Sequence, residues 1–260
     1  MIDFHTHIIP NIDDGSKSVE ETFNLIKEAE KAGFDTIIST SHYMEGYYEV
    51  ENKERRIWVD ALNEKLKEQN INVQLYLGNE IYITENIINL LENDKASSIN
   101  NSNYVLFEMP LNVEPLNLND VLFEMLRCKI IPVLAHPERY AFVQKKPDML
   151  YDLADKGVLM QCNFGSFIGQ YGTKAEIISK ELLLKDMVQF LGTDVHKQET
   201  VYPNMPKIIS VLNKMVGEEK VKQITEINPM LAMNNKKFDV AEPKHIKISL
   251  KDILKMNLRK

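Results

Sequence analysis

The chain has 260 residues, of which 44% are hydrophobic and 27% charged, and its formal net charge is −7. This composition is ordinary for a globular protein with a buried core, and the acidic balance argues against a broad nucleic-acid-binding surface. Apolar runs such as Ile130–Ala135 are too short to span a bilayer and the N-terminus lacks a signal-peptide pattern, so we expect a cytoplasmic protein without membrane insertion.

Apolar, β-branched segments alternate with amphipathic segments along the chain. The first amphipathic segment begins after Ser18, which forms a capping-box pattern with Glu21, and a second such pattern begins at Thr173. Gly33 and Gly157 stand where helices should end before strands. Seven segments are predicted to be strands: Ile2–His5, Thr36–Thr40, Val73–Leu77, Tyr104–Glu108, Ile131–His136, Val158–Asn163 and Val188–Thr193. This alternation predicts a parallel sheet, which is either a barrel or an open doubly wound sheet.

We expect residues 1–235 to form a single α/β domain, because no linker or internal repeat interrupts them. Residues 236–260 differ in charge, since they hold eight Lys or Arg residues and three acidic residues. Apolar residues recur there at helical spacing opposite basic ones: Leu250, Ile253, Leu254 and Leu258 opposite Lys251, Lys255, Arg259 and Lys260. The tail is predicted to form a terminal helix that packs on the acidic domain; contact with a partner or a membrane surface is the alternative.

Histidines and acidic residues gather at the ends of the predicted strands. Five of the six histidines and four acidic residues lie there: His5, His7, Asp14, His42, Glu80, Glu108, His136, Asp194 and His196. The carboxyl ends of parallel strands converge on one face, so these side chains should meet. A single histidine at a strand end is usually structural, but nine such residues at six strand ends are hard to explain as core packing. We therefore predict a metal centre.

The donor set indicates the chemistry. Imidazoles and carboxylates without a thiolate suit Zn, Mn or Fe, and nine ligands exceed the need of one metal, so two or three metals are expected. Clustered metals activate a bound water as hydroxide and clamp phosphoryl oxygens. Cysteine-dependent phosphatase chemistry is excluded, because the positions six residues after Cys128 and Cys162 hold Leu134 and Ile168 rather than Arg. Both cysteines are expected to be buried free thiols.

Several motifs resemble those of a known superfamily. The segment 3–7, Asp-Phe-His-Thr-His, resembles the opening motif of the PHP (polymerase and histidinol phosphatase) superfamily. The segment 5–16 resembles the first motif of one branch, the bacterial manganese-dependent tyrosine-protein phosphatases associated with capsule and exopolysaccharide synthesis. Segments 41–42, 78–80, 136–140 and 192–196 are similar to later motifs of that branch. The resemblance implies a distorted seven-stranded (β/α) TIM-like barrel with a trinuclear metal centre.

The resemblance also implies roles for individual residues. Its three implied metal sites are His5, His7, Glu80 and Asp194; Glu80, Glu108 and His136; and Asp14, His42 and His196. Asp13 competes with Asp14 for the position in the first loop. Arg139 would bind phosphate and stabilise transition-state charge. Two further expectations come from position alone: Asp3, on the face of the two histidines, would either orient one of them or bind backbone groups. Tyr43, Tyr47 and Tyr48, in the loop after His42, would contact a phosphotyrosine ring or pack locally.

The implied activity is a Mn²⁺-dependent protein-tyrosine phosphatase, with Fe or Zn as other possible metals. Its implied substrate is the tyrosine-rich tail of a bacterial tyrosine kinase that controls polysaccharide synthesis. Two alternatives stay open. One is a phosphoesterase of the same superfamily acting on a small ester such as histidinol phosphate, and the other is a catalytically inert module that docks a kinase.

Overall fold

The computed structural model describes residues 1–258, in which nine strands form two parallel sheets. The strands are β1 (Ile2–Thr6), β2 (Thr36–Ser39), β3 (His42–Tyr43), β4 (Gln74–Leu77), β5 (Glu80–Tyr82), β6 (Tyr104–Glu108), β7 (Ile131–Ala135), β8 (Leu159–Asn163) and β9 (Phe190–Gly192). One sheet has the order β1-β2-β4 and the other the order β3-β5-β6-β7-β8-β9. The prediction of a parallel α/β sheet is confirmed.

Helices lie both between the strands and after the last one. They are α1 (Val19–Lys31), α2 (Asn52–Glu68), α3 (Ile87–Glu92), α4 (Leu118–Arg127), α5 (Ala141–Lys145), α6 (Met149–Asp155), α7 (Thr173–Leu184), α8 (Met205–Val216), α9 (Glu218–Lys222), α10 (Asn228–Met233) and α11 (Leu250–Leu258). Helix α1 begins as predicted, because the Ser18 side chain accepts a hydrogen bond from the Glu21 amide. The second capping prediction was wrong: α7 starts at Thr173 itself, after Gly172, and has no side-chain cap.

The sheets curl because the chain after β9 returns to β1. The Asp194 amide donates to the His5 carbonyl at 2.8 Å, and the His7 amide donates to the Val195 carbonyl at 3.1 Å. Gly192 permits this approach, since a Cβ atom there would lie 2.5 Å from the His5 Cβ. The result is a half-barrel of parallel strands with the ends of β1 and β9 side by side.

Residues 1–258 contain nine strands where seven were predicted, because two of the predicted strands are each followed by a short extra strand in the other sheet. The chain leaves the first sheet after β2 and again after β4, and enters the second as β3 and β5. Where the chain changes sheets, polar side chains supply hydrogen bonds to backbone carbonyls that strand pairing would otherwise satisfy. The buried Arg55 guanidinium donates to the Gly78 carbonyl at 2.7 Å, and the side-chain amide of Asn79 donates to the Ser41 carbonyl at 2.7 Å.

Apolar side chains pack on both faces of the strands. The larger cluster joins the strands to the helices around them, and includes Phe34, Phe107, Leu134 and Phe164. A smaller cluster consists mainly of strand residues, and the rings of Phe4 and Phe190 stack within it with centroids 4.1 Å apart. The strand ends therefore project their polar side chains from a closely packed base.

The C-terminal tail contains a helix, but the apolar residues predicted to face the domain are largely exposed. Helix α11 lies against α7, yet Leu250 and Leu254 are 82% and 62% exposed, and Ile246 and Met256 are the buried residues. The reason is an anchor before the helix: the Ile246 amide donates to Asp148 Oδ1 at 2.8 Å, which fixes the direction of entry. The charges predicted at Arg259 and Lys260, and the side chains of Lys251 and Leu258, lie outside the described part.

Two further expectations concern the thiols and the membrane. Both cysteines are free, and Cys162 is buried, but Cys128 is exposed because it caps the end of α4. Among residues 1–258, none of the helices combines the length and the apolar character needed to cross a bilayer.

Candidate metal centre

All nine predicted ligand residues lie together at or after the carboxyl ends of six strands, namely β1, β2, β4, β6, β7 and β9. Glu80, the first residue of β5, is buried at their centre. Its Oε2 atom lies 3.2 Å from His5 Nε2, 3.4 Å from His7 Nε2 and 3.1 Å from His42 Nδ1. Its Oε1 atom lies 2.8 Å from His136 Nε2. One carboxylate thus contacts four histidines from three separate segments of the chain.

Two flanking groups extend the cluster toward solvent. On one side, Glu108 Oε1 lies 2.9 Å from His42 Nδ1. On the other, Asp14 Oδ1 lies 3.4 Å from His42 Nε2 and 3.2 Å from His196 Nε2. Ligand atoms fall within 4.8 Å of one another in three groups: His5, His7 and Glu80; His42, Glu80 and Glu108; and His7, Asp14, His42 and His196. His136 contacts Glu80 outside these groups.

The two histidines of β1 provide a test of whether a cation fits. His5 Nδ1 lies 2.8 Å from Gln161 Oε1, and His7 Nδ1 lies 2.9 Å from Asp13 Oδ2, so both Nδ1 atoms are donors. The Gln161 amide nitrogen is itself bound to the Cys162 carbonyl, which turns the Gln161 oxygen toward His5. The two Nε2 lone pairs therefore face each other at 3.0 Å.

Carboxylate oxygens surround this pair of lone pairs. Glu80 Oε2 and Asp194 Oδ1 are buried and carry no hydrogen bond within residues 1–258. His7 Nε2 lies 3.4 Å from Asp194 Oδ1. A region with four mutually facing acceptors and no donor is costly unless a cation occupies it. The residues present therefore fit a metal ion.

The pKa values express the same excess of negative charge in the metal-free protein. Burial lowers the pKa of the His5 ring, but Glu80 and Asp194 outweigh this effect, so the pKa is raised above its usual value. The pKa of His42 is raised to about 9, because Glu80 and Glu108 outweigh burial. Burial opposes ionisation of Glu80, but the His5 and His42 rings nevertheless hold its pKa well below the usual range. The carboxylates stay ionised, and in the absence of metal ions the protons on the histidine rings balance their negative charge.

Arg139 lies beside the cluster, on the turn that follows β7. Its guanidinium binds the Asp194 carboxylate and stacks over the Tyr171 ring, 4.7 Å from the ring centroid. A cavity of about 420 Å³ is lined by Arg139 together with seven of the nine predicted ligands. His136, at the start of this turn, and Asp194, after β9, adopt positive φ values of 34° and 52°. Such backbone conformations are typical of functional sites.

The structure separates the neighbouring acids of the first loop. Asp13 is buried, and binds His7 Nδ1, the Gly15 amide and the His42 amide. Asp14 instead faces His42 and His196 with its side chain 55% exposed. Gly15 sets this arrangement, because a Cβ atom there would lie 2.1 Å from the His7 carbonyl oxygen.

Asp3 does not contact a histidine ring. It accepts hydrogen bonds from the Thr193 amide at 2.8 Å, the Thr193 hydroxyl at 2.7 Å and the Tyr202 hydroxyl at 3.0 Å. Of the two possibilities raised for it, the structure gives the partner of backbone and hydroxyl groups. Asp3 thereby joins β1 to the segment that carries Asp194.

Three residues near the site had not been predicted. Gln161 orients His5, Asn163 donates to Asp194 Oδ2 at 2.8 Å, and Tyr171 supports Arg139. The signal for the first two was present, because an amide at each of two alternate positions of a buried apolar strand requires a specific partner. Tyr171 stands in a loop and gives no such signal.

A curled parallel α/β sheet thus presents imidazole and carboxylate groups together at its strand ends, an arrangement that fits the binding of metal ions. The sequence model for capsular polysaccharide synthesis, CpsB/CapC, matches residues 1–234. The chain belongs to this family.

Relatives and solved structures agree with this assignment. The tyrosine-protein phosphatase YwqE of Bacillus subtilis (strain 168) is 31% identical over 238 residues, which cover 92% of this chain and 94% of the relative. The crystal structures of YwqE from Bacillus subtilis and CpsB from Streptococcus pneumoniae, described as unique metal-dependent tyrosine phosphatases, give a match with a TM-score of 0.89 at 29% identity, covering 95% of this chain and 100% of that chain. A histidinol phosphate phosphatase from Lactococcus lactis shares the fold, with a TM-score of 0.55 at 16% identity over 84% of this chain and 94% of that one.

Proposed function

We propose that this protein is a metal-dependent protein-tyrosine phosphatase, a phosphoric monoester hydrolase that acts on phosphotyrosine in proteins. The observation that carries the proposal is the set of acceptors around His5 and His7, in which two imidazole lone pairs and two carboxylate oxygens face one another without a donor. The relatives named tyrosine-protein phosphatases supply the reaction class.

The nine clustered residues are the proposed ligands of two or three metal ions, with Glu80 shared between sites. Manganese is the proposed metal, because nitrogen and oxygen donors without a thiolate suit it, and Fe or Zn would also be accepted. Metals held there supply a water of lowered pKa and positive charge next to the phosphoryl oxygens. In this view the nine strands are a distorted seven-stranded barrel, in which β2 with β3 and β4 with β5 each count as one strand.

Arg139 is the proposed phosphate-binding residue. One of its nitrogens binds Asp194, and the guanidinium is supported from one side by Tyr171, so its direction is fixed before substrate arrives. A guanidinium has five N–H donors, which leaves others for phosphoryl oxygens. Because its charge is in position before the reaction, it would stabilise the developing transition-state charge without reorganisation.

The opening of the site favours a protein substrate over an enclosed metabolite. The Asp14 and His196 side chains, which line the cavity, are 55% and 26% exposed. A phosphorylated segment could therefore approach without a lid having to move. Given the family's link to capsular polysaccharide synthesis, we propose a tyrosine kinase of that process as the substrate protein.

The test is an assay of the purified protein with Mn²⁺ on a phosphotyrosine peptide, a phosphoserine peptide and histidinol phosphate. The His136→Ala variant is the control, because it removes one proposed ligand beside Glu80. Turnover of phosphotyrosine alone, lost in the variant, supports the proposal. Preference for histidinol phosphate would transfer the same metal chemistry to a small ester, and no turnover of any substrate with Mn, Fe or Zn would support an inert docking module.

A further inference from the structure

The cavity above the metal centre has two sides of different chemistry. Its base carries the histidines and carboxylates, and Arg139 lies at one edge. Another part of its lining is apolar and consists of Tyr82 at the end of β5 with Met109, Pro110, Leu111 and Val113 in the loop after β6. We call Tyr82, Leu111 and Val113 the apolar wall.

The wall exposes apolar surface next to a highly charged site. Leu111 is 42% exposed and Val113 is 66% exposed, although both belong to a cavity that also holds Glu108 and His136. The charged side chains at the base of the cavity do not themselves require apolar neighbours, so the wall needs a separate explanation. Apolar side chains exposed together at the edge of a polar site mark a surface that binds something apolar.

The wall is also held in fixed relation to the phosphate-binding residue. The Met109 amide donates a hydrogen bond to the Tyr140 hydroxyl at 3.0 Å, and the Ala141 amide donates to the Leu111 carbonyl at 2.8 Å. Both anchors lie directly after Arg139. The distance from the wall to the guanidinium is therefore set by a short, hydrogen-bonded turn rather than by a free loop.

We propose that the apolar wall binds the aromatic ring of phosphotyrosine and makes the metal centre selective for aryl phosphate esters. This inference rests on the proposed phosphatase function and adds the group that determines its specificity. In phosphotyrosine the ring is attached to the ester oxygen directly, so it must lie beside whatever surrounds the phosphoryl group. In phosphoserine a single methylene stands there, and the wall would stay exposed to water.

The decisive comparison is a double variant, Leu111→Asn with Val113→Asn, against the matched control Leu116→Asn. Leu116 lies in the same loop and is fully exposed, but it is not part of the cavity. With Mn²⁺ bound, we would measure kcat and KM for a phosphotyrosine peptide, for phenyl phosphate and for glycerol phosphate, and the inhibition constant of inorganic phosphate.

We expect KM for both aryl esters to rise about tenfold in the double variant, as for the loss of roughly 60 Å² of apolar contact. Glycerol phosphate turnover and phosphate inhibition should not change, because neither ligand has a ring. Equal losses on aryl and alkyl esters, a weaker phosphate inhibition, or no change at all would overturn the inference. If the double variant fails to fold, Val113→Ser at the more exposed position gives the same comparison.

A parent protein inactive on phosphotyrosine would overturn the proposed function itself, whereas an active parent with an insensitive wall would overturn the specificity role alone.

Discussion

His5 Nε2 and His7 Nε2 face each other at 3.0 Å, although both rings already donate from Nδ1 to fixed acceptors. Without a proton or a metal ion between them, two lone pairs at this distance repel, and the adjacent Glu80 and Asp194 oxygens add to the repulsion. The fold keeps them together because Asp194 N binds the His5 carbonyl in the bridge that curls the sheet. The rest of the fold thus keeps these groups close together, and a bound cation would remove the repulsion between them.

Binding of metal should therefore stabilise the protein. At a Mn²⁺ concentration one hundred times its Kd, mass action alone adds about 2.7 kcal/mol per ion to the free energy of unfolding. We expect Tm to fall when EDTA removes the metal and to recover when Mn²⁺ is added. Differential scanning calorimetry measures this, and His5→Ala should abolish the metal-dependent shift. An identical Tm with and without chelator would contradict the metal centre.

Arg139 should matter for turnover more than for metal content. Arg139→Ala is expected to lower kcat by about 10²-fold to 10³-fold, which is the usual effect of removing one preorganised donor from a developing charge. Metal content, measured by mass spectrometry, should stay within error of the parent protein. Arg127→Ala is a matched control, because that side chain is 63% exposed and pairs with Glu124 one helical turn earlier, away from the cavity. Loss of metal from Arg139→Ala in proportion to activity would instead show that Arg139 serves to hold Asp194.

Sequence reasoning located the cluster but not its fine structure. Strand ends and the His5–His7 spacing are local features, so they predicted which residues would converge. The choice between Asp13 and Asp14 depends on the turn at Gly15, which packs on the distant His7 carbonyl. The extra strands depend on hydrogen bonds from Arg55 and Asn79 to backbone groups far along the chain. Such long-range contacts leave no periodic signal in the sequence.

Gln161 should control metal affinity without touching the metal. Its oxygen accepts from His5 Nδ1, which leaves the Nε2 lone pair free to bind a cation. Gln161→Leu removes this acceptor, and we expect the Kd for Mn²⁺ to rise about 10-fold to 100-fold. Gln161→Glu keeps an acceptor and should retain most of the affinity. Titration calorimetry distinguishes the two variants, and equal losses in both would mean that the residue only fills space.

Metal affinity should increase with pH, because metal must displace protons from the histidines. The pKa of His42 is raised to about 9 in the metal-free protein, where Glu80 and Glu108 outweigh the effect of burial. Between the model-peptide value of about 6.5 and pH 9 this ring is protonated when folded but neutral when unfolded. A raised histidine pKa stabilises the metal-free fold fully below pH 6.5, and the stabilisation is lost as pH rises through 9.

The same titration predicts opposite behaviour for the two forms of the protein. With EDTA, Tm should fall from pH 6.5 to pH 9, because His42 loses its proton and the neighbouring carboxylates then lack a positively charged partner. With saturating Mn²⁺, Tm should not fall over this range, since the metal has already displaced the proton. Calorimetry of Mn²⁺ binding at pH 7 in buffers of different ionisation enthalpy should also detect proton release. A metal-free Tm that rises with pH, or binding without proton release, would show that His42 is neutral in the metal-free site.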